Sequence, residues 1–179
     1  LRRLAEVAGS DLVVVRSLRA WRASELRLGS EPVAILRMHG LVRWSCVAES
    51  AAGRWRFEEA GFGTRAVRLD ASVETPVAEM RRRATDPHAT IEAGRGRYTW
   101  APSTWQQRSW SLRDDAGSEI AYFRRRVPAY MERMGVGVPL AGRTLPDLDM
   151  LVLMGCYLAL TSPVLQRETL WPGDEYPPP

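Results

Sequence analysis

Arg81-Arg82-Arg83 and Arg124-Arg125-Arg126 are the residues of this chain best suited, by type and spacing, to bind something. A guanidinium carries its N–H donors in a planar fork that matches phosphate and carboxylate oxygens two at a time, so a run of three at a strand end could grip a phosphate-bearing ligand. The plainer alternative is a solvated strand end that discourages sheets from pairing edge to edge. The residues alone leave both open. Arg54, Arg56, Arg95 and Arg97 form a second basic set, expected on the wet faces of hairpin strands and paired there with Glu58, Glu59, Glu92 or nothing. Trp105 lies between Thr104 and Gln106 in an expected loop, where an exposed indole at a rim would suit a membrane interface. Trp100, Trp105 and Trp110 with Gln106, Gln107 and Arg108 between them could also stack bases, although core packing explains Trp100 and Trp110 more simply.

Other chemistries have weaker signals. His39 and His88 each sit beside a turn signal, Gly40 and Pro87, and no metal-ligand spacing connects them to Cys46 or Cys156. A Cys–His nucleophile would need Cys46 to meet one of them in space, with a third group to orient the pair. Gly61-Phe-Gly63, Gly94-Arg-Gly96 and Gly135-Val-Gly137 continue into neither a P-loop nor a dinucleotide fingerprint, so they read as turns and bulges. No cofactor and no metal are expected.

The elements that must position these residues are mostly strands. At 179 residues the chain is long enough for one domain with a full core. All 25 basic residues are Arg, against 21 acidic ones, so the balance is only mildly basic. Nucleic acid is therefore an unlikely partner, and the Arg are spread along the whole chain, as drift in a GC-rich genome would leave them. Two cysteines are too few for a disulfide framework, and no secretory signal precedes the first strand-like run. The expectation is a reduced, cytoplasmic protein that can sit at the inner face of a membrane.

Residues 1–8 have weak helical spacing and read as a short entry helix or a loose arm, within an N-terminal arm over 1–10. Glycines then punctuate the chain at intervals that suit an antiparallel meander over 11–170. The chain also repeats itself. Glu31-Pro-Val-Ala-Ile-Leu-Arg37, Thr75-Pro-Val-Ala-Glu-Met-Arg81 and Ser118-Glu-Ile-Ala-Tyr-Phe-Arg124 share a Val/Ile-Ala-x-apolar-Arg core, with Val33, Val77 and Ile120 spaced by 44 and 43 positions. Gly53-Arg-Trp-Arg-Phe57 and Gly96-Arg-Tyr-Thr-Trp100 repeat at an offset of 43. Three β-units and about a dozen short strands are predicted. Trp55 and Phe57 alternate with Arg54 and Arg56, and Trp110 and Leu112 with Ser111 and Arg113, the pattern of a sheet buried on one side.

The one strong helix signal is at 146–162, with Thr144 as its expected cap, Pro146 in its first turn, Asp147 and Asp149 at its positive end and Pro163 as its stop. Residues 150–160 hold no charge on any face, so the helix must be surrounded, and they are too few for the roughly 20 that span a bilayer. A sheet with one apolar face and an all-apolar helix have a joint solution: a closed antiparallel barrel with the helix in its lumen. Residues 164–170 read as a last strand or cap, and 171–179 as a Pro-rich tail.

Asp114-Asp-Ala-Gly117, Trp110-Ser-Leu-Arg-Asp114, the Gly-x-Trp-x-Phe strand and the terminal Asp-x-Asp-apolar helix together resemble the tubby C-terminal-like superfamily, which includes the LURP-one-related proteins and the phospholipid scramblases. The resemblance spans about 11–162. It implies a twelve-stranded barrel around a hydrophobic C-terminal helix, and an association with lipids in several members. Three features depart from it. Asp147 and Asp149 are followed by Met150 and Leu151 rather than by a Ca²⁺ loop, the Cys-rich stretch of scramblases is missing, and the Lys-rich lipid site of tubby proteins has no counterpart in a chain without Lys.

The expected function is a non-enzymatic module that attaches peripherally to anionic phospholipid, or another phosphate-bearing ligand, through an Arg-lined rim. The alternatives are a protein-interaction scaffold, a scramblase-like protein, and an enzyme using the barrel mouth.

Overall fold

The computed structural model describes residues 1–16, 23–39, 45–61, 63–71, 74–82, 88–103, 109–126 and 133–161. The alternating segments form twelve strands: β1 (Asp11–Arg16), β2 (Ala23–Leu28), β3 (Glu31–His39), β4 (Ser45–Ser50), β5 (Gly53–Ala60), β6 (Gly63–Arg68), β7 (Pro76–Arg82), β8 (Ala89–Ala93), β9 (Gly96–Pro102), β10 (Ser109–Asp114), β11 (Glu119–Arg126) and β12 (Arg133–Gly137). Each pairs antiparallel with its neighbour in sequence, and β1 pairs with β12, so the ring closes as the sequence predicts and leaves no free edge. Trp55, Phe57, Tyr98, Trp100, Trp110 and Leu112 are buried inside. Arg54, Arg97 and Arg113 are exposed outside. Ser111 also has outward parity but is buried, with Tyr122 as its cross-strand neighbour.

The repeat has a structural meaning. Leu26 pairs with Ala34 but Arg27 with Pro32; Ala66 pairs with Ala78 but Val67 with Pro76; Leu112 pairs with Ala121 but Arg113 with Glu119. The residue passed over is Val33, Val77 or Ile120, so each copy of the Val/Ile-Ala core marks a β-bulge. A bulge bends its strand and increases local twist, and three of them at four-strand intervals help to curve the sheet into a ring.

The helix α1 (Leu148–Leu160) lies within that ring. Tyr157 stacks on Phe57 of β5, with ring centroids 5.8 Å apart. Toward β11, six strands away around the ring, a Cβ on Gly155 would overlap the Phe123 ring. Every residue from Leu148 to Tyr157 is buried. The helix starts later than predicted. Thr144 ends a 3-10 turn, Leu140–Thr144, and Asp147 occupies the cap position without a side-chain cap bond. At the other end, Thr161 donates its hydroxyl to the Tyr157 carbonyl at 2.8 Å.

Residues 1–8 contain a 3-10 helix, Leu4–Glu6, whose Leu4 is fully buried. The Leu4 N–H donates to Asp149 Oδ1 at 3.2 Å, and the Ser50 hydroxyl donates to Asp149 Oδ2 at 2.6 Å. The chain start, the end of β4 and the first turn of α1 thus meet on one carboxylate. The expected strand at 164–170 and the tail at 171–179 lie outside the described residues.

Candidate functional site

Strand direction decides which residues share an end. In a closed antiparallel ring the odd-numbered strands all run one way, from the end where α1 begins, the entry end, to the end where it finishes, the exit end. β3, β7 and β11 are all odd, and each carries its bulge early and its Arg late. Arg37, Arg81 and Arg124, the last residues of the three repeat cores, therefore converge on the exit end.

Arg81 faces outward with 70% of its side chain exposed, and its Nη2 lies 3.0 Å from Glu79 Oε2 on the same face of the strand. The hydrogen bond that Arg81 donates to Glu79 holds its guanidinium above its usual range. Arg124 is exposed and lies opposite Ser109; Arg125 is half-buried and lies opposite Met134. Arg82 and Arg126 end β7 and β11, opposite Ala89 and Arg133. The side chains of Arg82 and Arg126, together with Arg83 and Trp105, lie outside the described residues. The structure thus brings β7 and β11, the strands that carry the two triplets, to the same end.

Arg37 belongs with them and was not singled out from the sequence as a binding residue. The repeat itself was the signal, because Arg37 holds the same place as Arg81 and Arg124 but has no arginine after it. It is exposed and sits 3.6 Å from Glu49. Arg16 and Arg133 add to the group as the last residue of β1 and the first of β12. Among the described residues the carboxylates toward this end are Glu25, Glu58, Glu59 and Glu79, of which Glu25 pairs with Arg27 and Glu79 with Arg81. Glu58 is already engaged by Arg56 at 3.0 Å and by Arg65, whose hydrogen bonds hold its carboxyl below the usual range against a smaller opposing effect of burial. Arg56 also reaches Glu74 at 2.9 Å. Glu6, Asp11, Glu31, Asp70, Asp114, Asp115, Asp147 and Asp149 lie toward the entry end together with Arg2, Arg3, Arg27, Arg54, Arg68, Arg95, Arg97, Arg113 and Arg143, so opposite charges are mixed there, whereas Arg outnumber carboxylates among the described residues of the exit end.

The competing chemistries do not assemble. Cys46 is fully buried, and burial pushes its thiol up to about 12, while His39 and His88 are both exposed. Burial likewise raises the Cys156 thiol. A reactive cysteine needs the opposite environment, one that favours the thiolate. Among the described residues no three His, Cys, Asp or Glu side chains come together to hold a metal ion. Trp100 and Trp110 stack on each other inside the barrel, 6.2 Å between centroids, and Trp100 also meets Phe123 at 5.0 Å, so neither presents a face to a base. Gly135 and Gly137, expected in a turn or bulge, are in β12. A Cβ on Gly137 would overlap the Tyr122 ring.

Compared with protein-family models, with curated proteins and with solved structures, the chain matches none.

Proposed function

We propose that this protein attaches peripherally to anionic phospholipid through the exit end of its barrel. The observation that carries the reading is the convergence of Arg37, Arg81 and Arg124, and of the strands ending in the two triplets, on that one end. The chemistry is electrostatic. Each basic residue near an anionic membrane contributes about 1 kcal/mol, and the attraction is screened by salt.

The sequence of the connections supports a bilayer over a free phosphate. The exit end is joined by residues 17–22, 40–44, 61–62, 83–88, 103–108 and 127–132, and five of these six stretches hold an aromatic residue: Trp21, Trp44, Phe62, Trp105 and Tyr130. The entry-end turns at 29–30, 51–52, 69–75, 94–95 and 115–118 hold none. Aromatic rings favour a membrane–water interface, and Trp21 and Trp44 are each next to an Arg in sequence, Arg22 and Arg43. The exit-end connections lie largely outside the described residues; their end of the barrel follows from the strands they join.

The tubby-like resemblance belongs to the same reading. A twelve-stranded barrel with a buried C-terminal helix is the architecture it implies, and lipid association is what several members of that superfamily share. A cytoplasmic protein docked on the inner face of a membrane fits both. Movement of α1 into the bilayer, as a scramblase-like reading would ask, would empty the barrel of the residues that fill it. Among the described residues no helix is long and apolar enough to cross a membrane.

A protein-interaction scaffold is the second reading, favoured by the ion pairs Arg81–Glu79 and Arg37–Glu49. Exposed pairs of this kind contribute about 0–1 kcal/mol, so they do not withhold the guanidinium from a phosphate. Vesicle co-sedimentation separates the two. Binding to phosphatidylserine vesicles but not to neutral ones, fading as salt rises, is expected. A variant with Arg81, Arg82, Arg83, Arg124 and Arg126 changed to Gln, and the half-buried Arg125 kept, is expected to stay folded and lose that binding. Wild-type protein that ignores anionic vesicles at low salt, or a variant that binds as well as wild type, overturns the proposal.

A further inference from the structure

The chain has two histidines, and strand direction puts both on the basic end. His39 is the last residue of β3, exposed and two positions beyond Arg37 on the outward face. His88 is exposed and immediately precedes β8, whose first residue, Ala89, pairs with Arg82. Imidazole is the side chain whose ordinary charge change falls between pH 5 and 8. Both histidines of the chain therefore stand at the end that carries the arginines to which we assign phospholipid contact.

We infer that mild acid strengthens attachment of this protein to an anionic membrane, with His39 and His88 as the groups that respond. The inference rests on the attachment proposed above and concerns its regulation.

The surroundings of each imidazole are specific. On its own strand His39 has Arg37 on the same face; on β4 it faces Ser45, and beyond Ser45 on β5 lies Glu58, which Arg56 and Arg65 already engage. The described part of β2 begins at Ala23, opposite Arg37. Near His88, Thr90 is the next outward residue of β8, followed by Glu92; on β7 Thr90 faces Arg81, and on β9 it faces Thr99. The outward charges so placed around the two histidines are Arg37 and Arg81, each with a carboxylate of its own, together with Glu58 and Glu92. A bilayer with a negative surface potential concentrates protons at its surface, which favours the charged imidazole on contact. Asp149, the buried carboxylate, is at the entry end and makes no contact with either histidine.

The test is co-sedimentation of the full chain with phosphatidylserine-containing vesicles at fixed low salt, at pH 7.5 and at pH 5.5. An added charge near the surface corresponds to about fivefold in the binding constant, so wild-type binding is expected to rise about tenfold or more on acidification. The doubly substituted chain, His39→Gln with His88→Gln, is expected to bind as wild type at pH 7.5 and to gain little at pH 5.5, with each single variant in between. Both sites are exposed, and an unchanged melting temperature shows that the fold is intact. Wild-type binding that is equal at the two pH values overturns this inference and leaves the attachment standing, as does a double variant that gains as much as wild type. Absence of wild-type binding at both pH values overturns the attachment itself.

Discussion

Asp149 is the only buried carboxylate among the described residues, and its two oxygens hold two distant pieces of chain. Removing it leaves the Leu4 N–H and the Ser50 hydroxyl without their acceptor in an apolar setting, so Asp149→Ala is expected to cost about 1–3 kcal/mol, read as a lower denaturant midpoint. Burial raises the Asp149 carboxyl above its ordinary range, with the hydrogen bonds from Ser50 and Leu4 and the charge of Arg3 opposing and that of Glu6 adding. The folded protein therefore holds this proton more tightly than the unfolded chain does. The resulting contribution to stability is fully present below the ordinary aspartate pKa and is lost as pH rises through the folded one. Measured against Asp149→Asn, which has no such titration, wild-type stability is expected to fall across the acid range as pH increases. Gly155 makes a second residue-scale case. Alanine favours a helix over glycine by about 1 kcal/mol, but a Cβ here meets Phe123, so Gly155→Ala is expected to destabilise by about 1–3 kcal/mol, and Phe123→Leu is expected to recover part of the loss.

Elements were legible where burial is one-sided. Trp55, Phe57, Tyr98, Trp100, Trp110 and Leu112 alternate with polar residues because each strand has one face in the lumen and one in water. The repeat was legible too, but its cause was not: two consecutive buried residues, Val33-Ala34 and Ile120-Ala121, break the alternation because a bulge lies there. The helix start was misplaced because Pro139 and Pro146 bracket a separate 3-10 turn that uses Thr144. The role of Asp149 was beyond reach, since Leu4 is 145 positions away and Ser50 is 99 away. That the two triplets share an end follows from their equivalent places in the repeat, and the same alignment offered Arg37, which was passed over because no arginine follows it. One element-scale prediction concerns the strand pair that positions Arg81. A Cβ on Gly63 would overlap the backbone carbonyl of Met80, so Gly63→Ala is expected to separate β6 from β7 locally and cost about 1–3 kcal/mol, seen as faster amide exchange at Thr64 and Arg81.

For the whole molecule, the ring and its filling are interdependent. Without α1 the inward faces of the strands would surround a void, so a chain ending after Leu145 is expected to lose its near-ultraviolet circular dichroism and bind a hydrophobic dye. Closure through β1 and β12 also has a consequence for how the protein is made. Of the twelve strands β1 is made first, yet one of its two partners, β12, is made last, and the helix that fills the interior follows still later. Until then any sheet the nascent chain forms would have two unpaired edges and an uncovered apolar face. Such an intermediate is prone to aggregation, so the yield of folded protein should depend on chaperone supply and on the pace of translation more than the stability of the finished barrel would suggest.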